Sequence, residues 1–529
     1  GTNLSNVGDV NGDGFDDFIV GNNLNNSALQ ASQAAHVVFG SSVGITSQAV
    51  NAESRGFTIF SSVRDDYVGA SVSGIGDVNG DGLADLLVGA RDTDTTFGST
   101  TVGTGAAYII YGKTSTTDVN VDSTLTPSIG RLIAADSASM LGVGDKVVGA
   151  GDVNGDGIAD SIHYDQAAGN KYYVAFGNTA STPISLSAVA AGTGGYTITA
   201  VGSNRSVNNL GDVNGDGLSD IIIGAPDLVN GGTASAGKAY VVFGQSTGTA
   251  INITELNAGT SNKGYVINGV GGLSAEKFGG AVAGAGDVNG DGIADVVLGD
   301  ALGNAYVVFG KTNGTAINAS NLGTNGFKMV GNSSLTGQST QVNYAGDING
   351  DGLADVIVAA KSVRSYVVFG KTDNTTVQFS DIVAGKGGFA INGATDTGSL
   401  GGTRWDTGND SLSYAGDLNG DGFDDLLVGA NGSPVGSNTQ AGKVYVIYGG
   451  TQFSGVAAVL GTGSSSDETV QGTLSTDTLI GGGGVDRFSA GAGNDAIVLQ
   501  ASDAANLAAT SGGSVRASVD GGTGYDSLR

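Results

Sequence analysis

The sequence of 529 residues contains no cysteine, four prolines and two histidines. Without cysteine it can form no disulfide, no thiolate nucleophile and no zinc site with sulfur ligands. Lysine and arginine number 22 against 50 aspartates and glutamates, a formal net charge of −28. This balance argues against nucleic acid as a partner, because phosphate binding requires a basic surface. No apolar run reaches the roughly 18–20 residues that a membrane-spanning helix needs.

Glycine is abundant, with 95 residues, but it follows no strict three-residue period, which excludes a collagen-like helix. Hydrophobic residues make up 40% of the chain, enough to form a core and to exclude wholesale disorder. Charged residues are only 14% of the total, so the acidic residues must be concentrated in particular segments.

One acidic segment recurs along the chain, first as GDVNGDGFDD at residues 8–17 and later as GDVNGDGLAD, GDVNGDGIAD and close variants. Successive copies are 60 to 75 residues apart, so the chain is a repeat protein. The seven copies begin at Asp9, Asp77, Asp152, Asp212, Asp287, Asp347 and Asp417.

Each repeat has the same order of short segments rich in Val, Ile, Phe and Tyr. An apolar run such as DLLVGA follows the acidic segment, then a run ending in aromatic-Gly such as YVVFG, and then a Gly-led run such as GFTIF. A run of small residues leads into the next acidic segment. Four strands in each of seven units predict an all-β protein, a seven-bladed β-propeller with the small-residue strand innermost. The alternative is a linear β-solenoid, for whose single coil a unit of this length is too long.

The acidic segment has the spacing of a calcium-binding loop. In the first copy Asp9, Asn11 and Asp13 alternate, Gly14 occupies the sixth position, and Phe15 at the seventh would offer its carbonyl oxygen. These positions match the front of an EF-hand loop. The twelfth position is apolar instead of Glu, so we expect Asp17, at the ninth, to complete the oxygen ligands. Oxygen donors without His or Cys favour Ca²⁺, and favour it over Mg²⁺.

Simple hairpin turns are the alternative explanation of Asp-Gly and Asn-Gly pairs. They account for one copy but not for an aspartate at the ninth position in all seven copies. Seven similar sites are typical of ions that stabilise a structure and not of ions that transmit a signal.

The repeats resemble the FG-GAP repeats of integrin α-subunit propellers. The segment FGGAVAGAGDVNGDGIAD at 278–295 carries the Phe-Gly element, and IGAPD at 223–227 carries Gly-Ala-Pro. The resemblance implies a seven-bladed FG-GAP propeller over residues 1–460, with calcium loops between the first two strands of each blade. It departs from the family in two ways: every unit has a loop, whereas integrin propellers have them in only some blades, and Gly-Ala-Pro is degraded elsewhere.

Applied to each copy, the resemblance implies the same ligand set seven times. The candidate calcium ligands are Asp9, Asn11, Asp13, Phe15 and Asp17; Asp77, Asn79, Asp81, Leu83 and Asp85; Asp152, Asn154, Asp156, Ile158 and Asp160; Asp212, Asn214, Asp216, Leu218 and Asp220; Asp287, Asn289, Asp291, Ile293 and Asp295; Asp347, Asn349, Asp351, Leu353 and Asp355; and Asp417, Asn419, Asp421, Phe423 and Asp425.

The pattern changes after residue 460. GGGGVDRFS at 481–489, AGAGNDAIV at 490–498 and GGTGYDSLR at 521–529 fit a nine-residue repeat with Asp at its sixth position. They resemble the RTX (repeats-in-toxin) nonapeptides, which implies a parallel β-roll over 461–529 with Asp486, Asp495 and Asp526 as further calcium ligands. The family also implies an extracellular bacterial protein exported by type I secretion. We expect the roll to be incomplete and the native polypeptide to continue.

Catalytic motifs are absent: the sequence has no nucleophile elbow, phosphate-binding loop or His-rich metal motif. His36 opens a predicted strand and is expected to be a packed strand residue. His163 replaces the apolar twelfth position of the third copy, where a degraded blade is favoured over a functional site. Trp405, the single tryptophan, is expected in a loop between blades, where ordinary packing is favoured over binding a sugar ring.

The sequence therefore predicts a non-enzymatic, calcium-binding adhesion or recognition module of a secreted bacterial surface protein. Its expected cofactor is Ca²⁺, at about seven propeller sites and further sites in the C-terminal repeats. Its expected partner is an extracellular glycan or protein, or copies of itself. The alternatives are a self-assembling surface-layer or filament subunit and, less favoured, the scaffold of a secreted hydrolase.

Overall fold

The computed structural model describes most residues between 3 and 453 and seven short strands beyond them. The described residues are 3–23, 33–42, 55–63, 66–97, 100–122, 125–137, 139–165, 171–180, 182–199, 206–230, 232, 236–258, 261–271, 276–331, 340–359, 364–392, 399–400, 412–431, 443–453, 460–462, 469–471, 478–480, 487–489, 496–498, 518–520 and 527–528.

Seven antiparallel sheets, one for each acidic segment, form a seven-bladed β-propeller, as the sequence predicts. In each sheet the chain runs outward from strand to neighbouring strand. The strands of blades 1 to 7, from the innermost outward, are Asn3–Gly8, Asp17–Asn23, Gln33–Val38 and Gly56–Phe60; Val68–Gly76, Asp85–Ala90, Ala106–Ile110 and Gly130–Ala134; Val147–Gly151, Asp160–Asp165, Lys171–Ala175 and Gly195–Thr199; Val207–Gly211, Asp220–Ala225, Lys238–Val242 and Gly264–Asn268; Ala281–Gly286, Asp295–Gly299, Ala305–Val308 and Gly326–Val330; Gln341–Gly346, Asp355–Ala359, Arg364–Val368 and Gly388–Asn392; and Leu412–Gly416, Asp425–Asn431 and Lys443–Ile447.

Small elements supplement the blades. Blades 1 to 5 each gain a fifth, parallel strand of two residues from the following repeat, which covers an edge that would otherwise be open to pairing. These strands are Val119–Asn120, Ile184–Ser185, Ile251–Asn252, Ile317–Asn318 and Val377–Gln378. The other elements are the hairpin Asp94–Phe97 and Thr100–Gly103, the strand Ser399–Leu400 paired to Asp425–Asn431, the helices Leu186–Ala190 and Phe379–Val383, and the 3₁₀ turns Ile253–Ala258 and Thr451–Phe453. Neither helix in this described part has the length and apolar character needed to cross a bilayer.

The small-residue strands are innermost, which confirms the sequence prediction. The innermost strands of adjacent blades contact one another around the ring, including the pair formed by blades 7 and 1. They approach so closely that a Cβ on Gly149 would lie 2.3 Å from the carbonyl oxygen of Gly74. Serines link these strands, since Ser5 Oγ accepts the N–H of Gly74 (3.2 Å) and Ser73 Oγ accepts that of Gly149 (3.0 Å). Strands from all seven blades line a central cavity of about 510 Å³.

The hydrophobic core lies between the blades. Because side chains alternate along a strand, each sheet packs one face against the preceding blade and the other against the following blade. Leu86 and Val88 of blade 2 pack with blade 1, whereas Leu87 between them packs with blade 3. Each strand buried on both faces therefore reads as a continuous apolar run in the sequence.

The outer parts of the blade junctions are held by more than one kind of side-chain contact. The Lys113 ammonium lies 3.8 Å from the ring centroid of Phe57, in blade 1, and Lys311 and Lys371 lie over the rings of Tyr265 and Phe327 in the same way. Between blades 2 and 3, Arg131 takes the place of the ring and donates to Asn178 Oδ1 (2.9 Å). Between blades 6 and 7, Phe453 stacks on Phe389 at 4.2 Å.

Beyond the propeller, the described strands form two parallel sheets. One contains Leu460–Thr462, Thr478–Ile480, Ala496–Val498 and Ser527–Leu528, and the other contains Thr469–Gln471, Arg487–Ser489 and Ser518–Asp520. Leu460 pairs with Thr478 and Thr469 with Arg487, so one coil equals two nonapeptides. Phe488 and Ile497 are buried. Asp486, Asp495 and Asp526 lie outside the described residues, so their assignment as ligands stays a prediction.

Candidate metal centre

The acidic segments connect the first and second strands of their blades. A β-bulge precedes each one: in blade 1 the register shifts between Asn6 and Gly8, and Gly8 adopts a φ of +70°. The ninth position of each loop is the first residue of the second strand, so the predicted apolar twelfth position lies inside that strand. The structure therefore brings the predicted ligands of each copy into one loop.

The first aspartate organises the turn. Asp9 Oδ1 accepts the N–H groups of Gly12 (2.6 Å) and Asp13 (3.1 Å), and Asp9 Oδ2 accepts that of Gly14 (2.8 Å). Gly14 has a φ of +89°, a conformation that glycine adopts without strain. Equivalent bonds recur in the other six loops, for example from Gly290 and Gly292 to Asp287. The carboxylate thereby holds the loop in a tight arc.

The residues at the third and fifth positions of the loop are hydrogen-bonded to each other. Asn11 Oδ1 accepts the N–H of Asp13 (2.8 Å), while the Asn11 amide nitrogen donates to Asp13 Oδ2 (3.0 Å). Asp13 Oδ1 accepts the N–H of Phe15, at the seventh position. The third loop differs, because the Asn154 amide nitrogen lies 3.4 Å from Asp160 Oδ1 at its ninth position. In both arrangements the amide N–H group donates a hydrogen bond to a loop carboxylate.

The ninth-position aspartate is fully buried in every loop. Asp17 Oδ2 accepts the N–H of Val10 (2.9 Å), and Oδ1 accepts that of Gly40 (2.8 Å), which follows the third strand of the same blade. Burial raises the pKa of Asp17 to about 7, these two hydrogen bonds offset part of the rise, and Asp13 and Asp9 add to it. The pKa is raised to about 7 or 8 in the same way at Asp85, Asp160, Asp220, Asp295, Asp355 and Asp425.

The glycine of each aromatic-Gly run binds the ninth aspartate, a role that the sequence pattern did not reveal. Gly112 and Gly310, for example, donate to Asp85 Oδ1 and Asp295 Oδ1 at 2.8 Å. A Cβ on Gly112 would lie 2.5 Å from Leu83 Cβ and 2.7 Å from the Ala84 carbonyl oxygen. The recurrence of aromatic-Gly at a fixed place in every repeat was the available signal.

The loops of adjacent blades are bonded to one another. The carbonyl oxygen of Asp9 accepts the N–H of Ala84, at the eighth position of the next loop (3.0 Å), and the carbonyl of Val10 accepts the N–H of Lys113 (2.8 Å). The same two bonds link blade 7 to blade 1, from Asp16 to Asp417 and from Ser41 to Leu418.

The seventh-position side chain adds an apolar contact between loops. A Cβ on Gly12 would lie 2.9 Å from Leu83, and one on Gly420 would lie 2.5 Å from Phe15. A Leu or Phe at the seventh position thus covers the fourth-position glycine of the preceding loop, whereas the Ile of the third and fifth loops makes no such contact with Gly80 or Gly215. Its N–H group meanwhile bonds the fifth-position carboxylate.

The donors of each loop are chemically suited to Ca²⁺, but they are not yet gathered around one point. Three carboxylates, one amide and backbone carbonyls provide oxygen atoms only, and a buried ninth carboxylate needs a nearby cation or a proton. Within the ranges described above, no three His, Asp or Glu side chains converge closely enough to enclose a metal ion. Instead, the loop carboxylates bind N–H groups of the chain.

The two histidines lie in strands, as expected. His36 is half-buried, with Nδ1 3.3 Å from Thr58 Oγ1. His163 is fully buried with Nε2 2.8 Å from Ser161 Oγ, and its Nδ1 has no partner. Burial lowers the pKa of His163 to about 3. Trp405 lies outside the described residues.

Comparison with known families finds the same two repeat types. The FG-GAP repeat matches residues 1–38, 68–110, 205–242 and 413–447, and an FG-GAP-like repeat matches 287–358. The RTX calcium-binding nonapeptide repeat matches 462–497. These matches confirm the resemblances drawn from the motifs, and they name repeat families and no enzyme.

The curated relatives are integrin α-subunits. Integrin alpha pat-2 of Caenorhabditis elegans is 32% identical over 176 residues, 31% of this chain and 14% of the relative. Integrin alpha-4 of Xenopus laevis is 29% identical over 154 residues (28% and 13%), and integrin alpha-6 of Gallus gallus is 29% identical over 179 residues (32% and 15%). The chain thus spans about one seventh of these relatives.

Among solved structures, BBS1N in complex with ARL6DN matches with a TM-score of 0.40 and 11% sequence identity, covering 83% of this chain and 89% of that chain.

Proposed function

We propose that this chain, which carries FG-GAP repeats and RTX calcium-binding nonapeptide repeats, is a calcium-stabilised recognition module of an extracellular adhesion protein. Both repeat types are calcium-binding in general, and the integrin α-subunits among its relatives favour adhesion or recognition over catalysis. Secretion from a bacterium by a type I route is part of the proposal and is supported by the RTX repeats.

The observation that carries the proposal is the buried carboxylate at the ninth position of every loop. Asp295, for example, is 0% exposed and lies near Asp291 and Asp287, whose charges raise its pKa further. Seven such groups without counter-charge oppose folding. Seven Ca²⁺ ions would add 14 positive charges and change the formal charge from −28 to −14.

Ion binding requires only a local change in each loop. In the first loop the Asn11 amide donates a hydrogen bond to the Asp13 carboxylate, whose charge a bound cation would neutralise. Rotation of the two side chains would turn the amide oxygen and the freed carboxylate oxygen toward an ion. Asp9 can keep its bonds to the turn and still bind the ion through Oδ2, which accepts only the N–H of Gly14 and therefore has a second lone pair.

Calcium would stabilise more than the loop itself. The ninth aspartate ties the loop to the third strand through Gly40, and the carbonyl of Asp9 ties it to the next blade through Ala84. An ion that fixes these two aspartates therefore fixes three strands of one blade and a junction with its neighbour. We therefore propose that calcium holds the blades together, with a dissociation constant of about 10⁻⁴–10⁻³ M, as in other extracellular modules.

Recognition is proposed to occur through the connections of the propeller, which present polar side chains on a rigid frame. The segments between strands are rich in Thr, Ser, Asn and Gly, which suits a glycan or a polar protein surface. The acidity of the chain disfavours nucleic acid as ligand.

A calcium titration of the full chain combined with a binding assay tests the proposal. Isothermal titration should show about seven or more ions per chain, and binding to a glycan array or to cells should be lost on chelation and restored by calcium. A chain that takes up no calcium, or whose thermal unfolding is unchanged by a strong chelator, refutes calcium stabilisation. Binding that is indifferent to chelation refutes a calcium-dependent recognition role.

A further inference from the structure

The eighth position of the loop distinguishes two repeats from the other five. It is occupied by Asp16 in the first loop and Asp424 in the seventh. The other loops have a small residue there: Ala84, Ala159, Ser219, Ala294 and Ala354.

Both aspartates reach across a blade junction to a candidate calcium loop. Asp424 Oδ2, in blade 7, accepts the N–H of Asp347, the first ligand position of the sixth loop (2.7 Å). Asp16 Oδ2, in blade 1, accepts the N–H of Asp417, the first ligand position of the seventh loop (2.9 Å). The main chain around each first ligand is therefore held by a carboxylate of the following blade.

The surrounding residues are shaped to admit these two carboxylates. A Cβ on Gly416 would lie 1.9 Å from Asp16 Oδ2, and one on Gly346 would lie 2.4 Å from Asp424 Cβ. At the corresponding Gly76 the nearest atom is Ala159 Cβ, at 3.6 Å. The two carboxylates thus occupy space that is open at the junction of blades 2 and 3, whereas at Gly286, beside Ala354, the ring of Tyr344 fills it, 2.7 Å from where a Cβ would lie.

Blade 7 carries a further contact of the same kind. Tyr414 hydrogen-bonds Asp424, and its ring lies 4.8 Å from that of Tyr344 in blade 6. The corresponding residue in the first five blades is Asn or Gly: Asn6, Gly74, Gly149, Asn209 and Gly284. Blade 7 closes the ring, and at each of its two junctions an aspartate side chain is hydrogen-bonded to a candidate calcium loop. At the other junctions the residue at the same position is Ala or Ser.

These links place negative charge where it is costly without a cation. Asp16 and Asp424 are each half-buried beside loops that already contain three acidic side chains. Burial raises the pKa of both aspartates, and the charges of neighbouring loop aspartates, among them Asp417, raise it further. An ion in the sixth and seventh loops would offset this repulsion, whereas the neutral residues of the other junctions need no such compensation.

We propose that Asp16 and Asp424 are positioning residues for the calcium loops of blades 7 and 6, and that calcium controls through them how tightly blade 7 closes the ring. The proposal rests on the calcium binding proposed above. Charge-assisted hydrogen bonds are among the stronger ones, so losing either should weaken calcium binding at its loop about tenfold.

The test compares Asp16→Ala and Asp424→Ala with Ser219→Ala, a matched control at the same loop position in blade 4. Isothermal titration should show two of the seven propeller sites weakened in the double variant D16A/D424A and none in S219A. Hydrogen exchange at 412–416 and 425–431 should accelerate in calcium for the aspartate variants, with blades 2 to 5 unchanged. Asp16→Asn and Asp424→Asn retain an oxygen acceptor for the same N–H group, so they should recover most of the protection and guard against a folding defect.

Equal titrations and equal exchange for D16A/D424A and S219A, in a wild-type chain that binds calcium, would overturn this inference alone. Faster exchange of the same size in every blade would also overturn it, because it would indicate general destabilisation. A wild-type chain that binds no calcium would instead overturn the proposed function.

Discussion

Replacing one ninth-position aspartate should separate calcium binding from ordinary packing. In Asp295→Asn the side chain keeps one oxygen for the N–H of Val288 or Gly310, which now lie 2.9 and 2.8 Å from the carboxylate oxygens. It also loses the anionic ligand. Without calcium the change removes one hydrogen bond, worth about 0.5–1.5 kcal/mol, and relieves the burial of a charge. The net effect on the free energy of unfolding should therefore be small.

In calcium the same variant should lose the stabilisation of a whole site. A ligand that binds only the folded state adds RT ln(1 + [L]/Kd), which is roughly 1.4–2.7 kcal/mol at about 10 mM calcium for a Kd of about 10⁻³–10⁻⁴ M. Urea unfolding in calcium and in chelator measures the difference directly. The expected result is a loss of about this size in calcium only.

Asp300→Asn is the matched control. Asp300 is also 0% exposed and in the same blade, but it binds Asn304 and the Tyr306 hydroxyl instead of belonging to an acidic loop. Its replacement should change the free energy of unfolding equally in calcium and in chelator. If D295N behaved like D300N, Asp295 would be a structural carboxylate and the ligand assignment at the ninth position would fail.

Three further predictions follow from burial and close approach. In the presence of a chelator, the melting temperature should be higher at pH 5.5 than at pH 8. The raised pKa of about 7 at residues such as Asp17 makes the folded state bind more protons than the unfolded state between about pH 4 and 7. Calorimetry that shows a melting temperature rising with pH would contradict this. The double variant Ser161→Ala/His163→Val should be more stable by about 1–3 kcal/mol in urea unfolding, because it removes the buried Nδ1 of His163, which has no hydrogen-bond partner. A destabilised double variant would show that the imidazole has a partner. Gly112→Ala should lower the free energy of unfolding by several kcal/mol, on the order of an overpacked core site. Gly82→Ala should lower it by about 1 kcal/mol, because Gly82 has a φ of +89° but no atom within 4 Å of an added Cβ. Equal losses would refute the close approach at Gly112.

The features predicted from the sequence are those that repeat. The recurrence of seven acidic segments with four apolar runs each gave the number of blades, the small-residue runs gave the innermost strands, and the spacing from Asp9 to Asp17 gave the loop. These patterns are local, and periodic side-chain burial follows directly from them.

Contacts between distant segments could not be predicted in this way. Asp17 is bonded to Gly40, which lies 23 residues away, because the third strand returns beside the loop. In the sequence Asp16 stands where most copies have alanine, and nothing local marks it as different. Its hydrogen bond is to Asp417, about 400 residues away along the chain. The two-residue strands such as Val119–Asn120 are too short to leave a periodic signal.

The chemistry of the outer junctions restricts which repeats can be neighbours. Lys113 needs an aromatic ring on the preceding blade, whereas Arg131 needs the amide of Asn178 on the following one. Moving blade 6 to follow blade 2 would set Lys371 against Arg131, two cations without an anion between them. A circular permutation keeps every neighbour and should be tolerated, whereas an array that sets a lysine of this kind against Arg131 should close less well, so the linear order of the repeats carries information beyond their shared motifs.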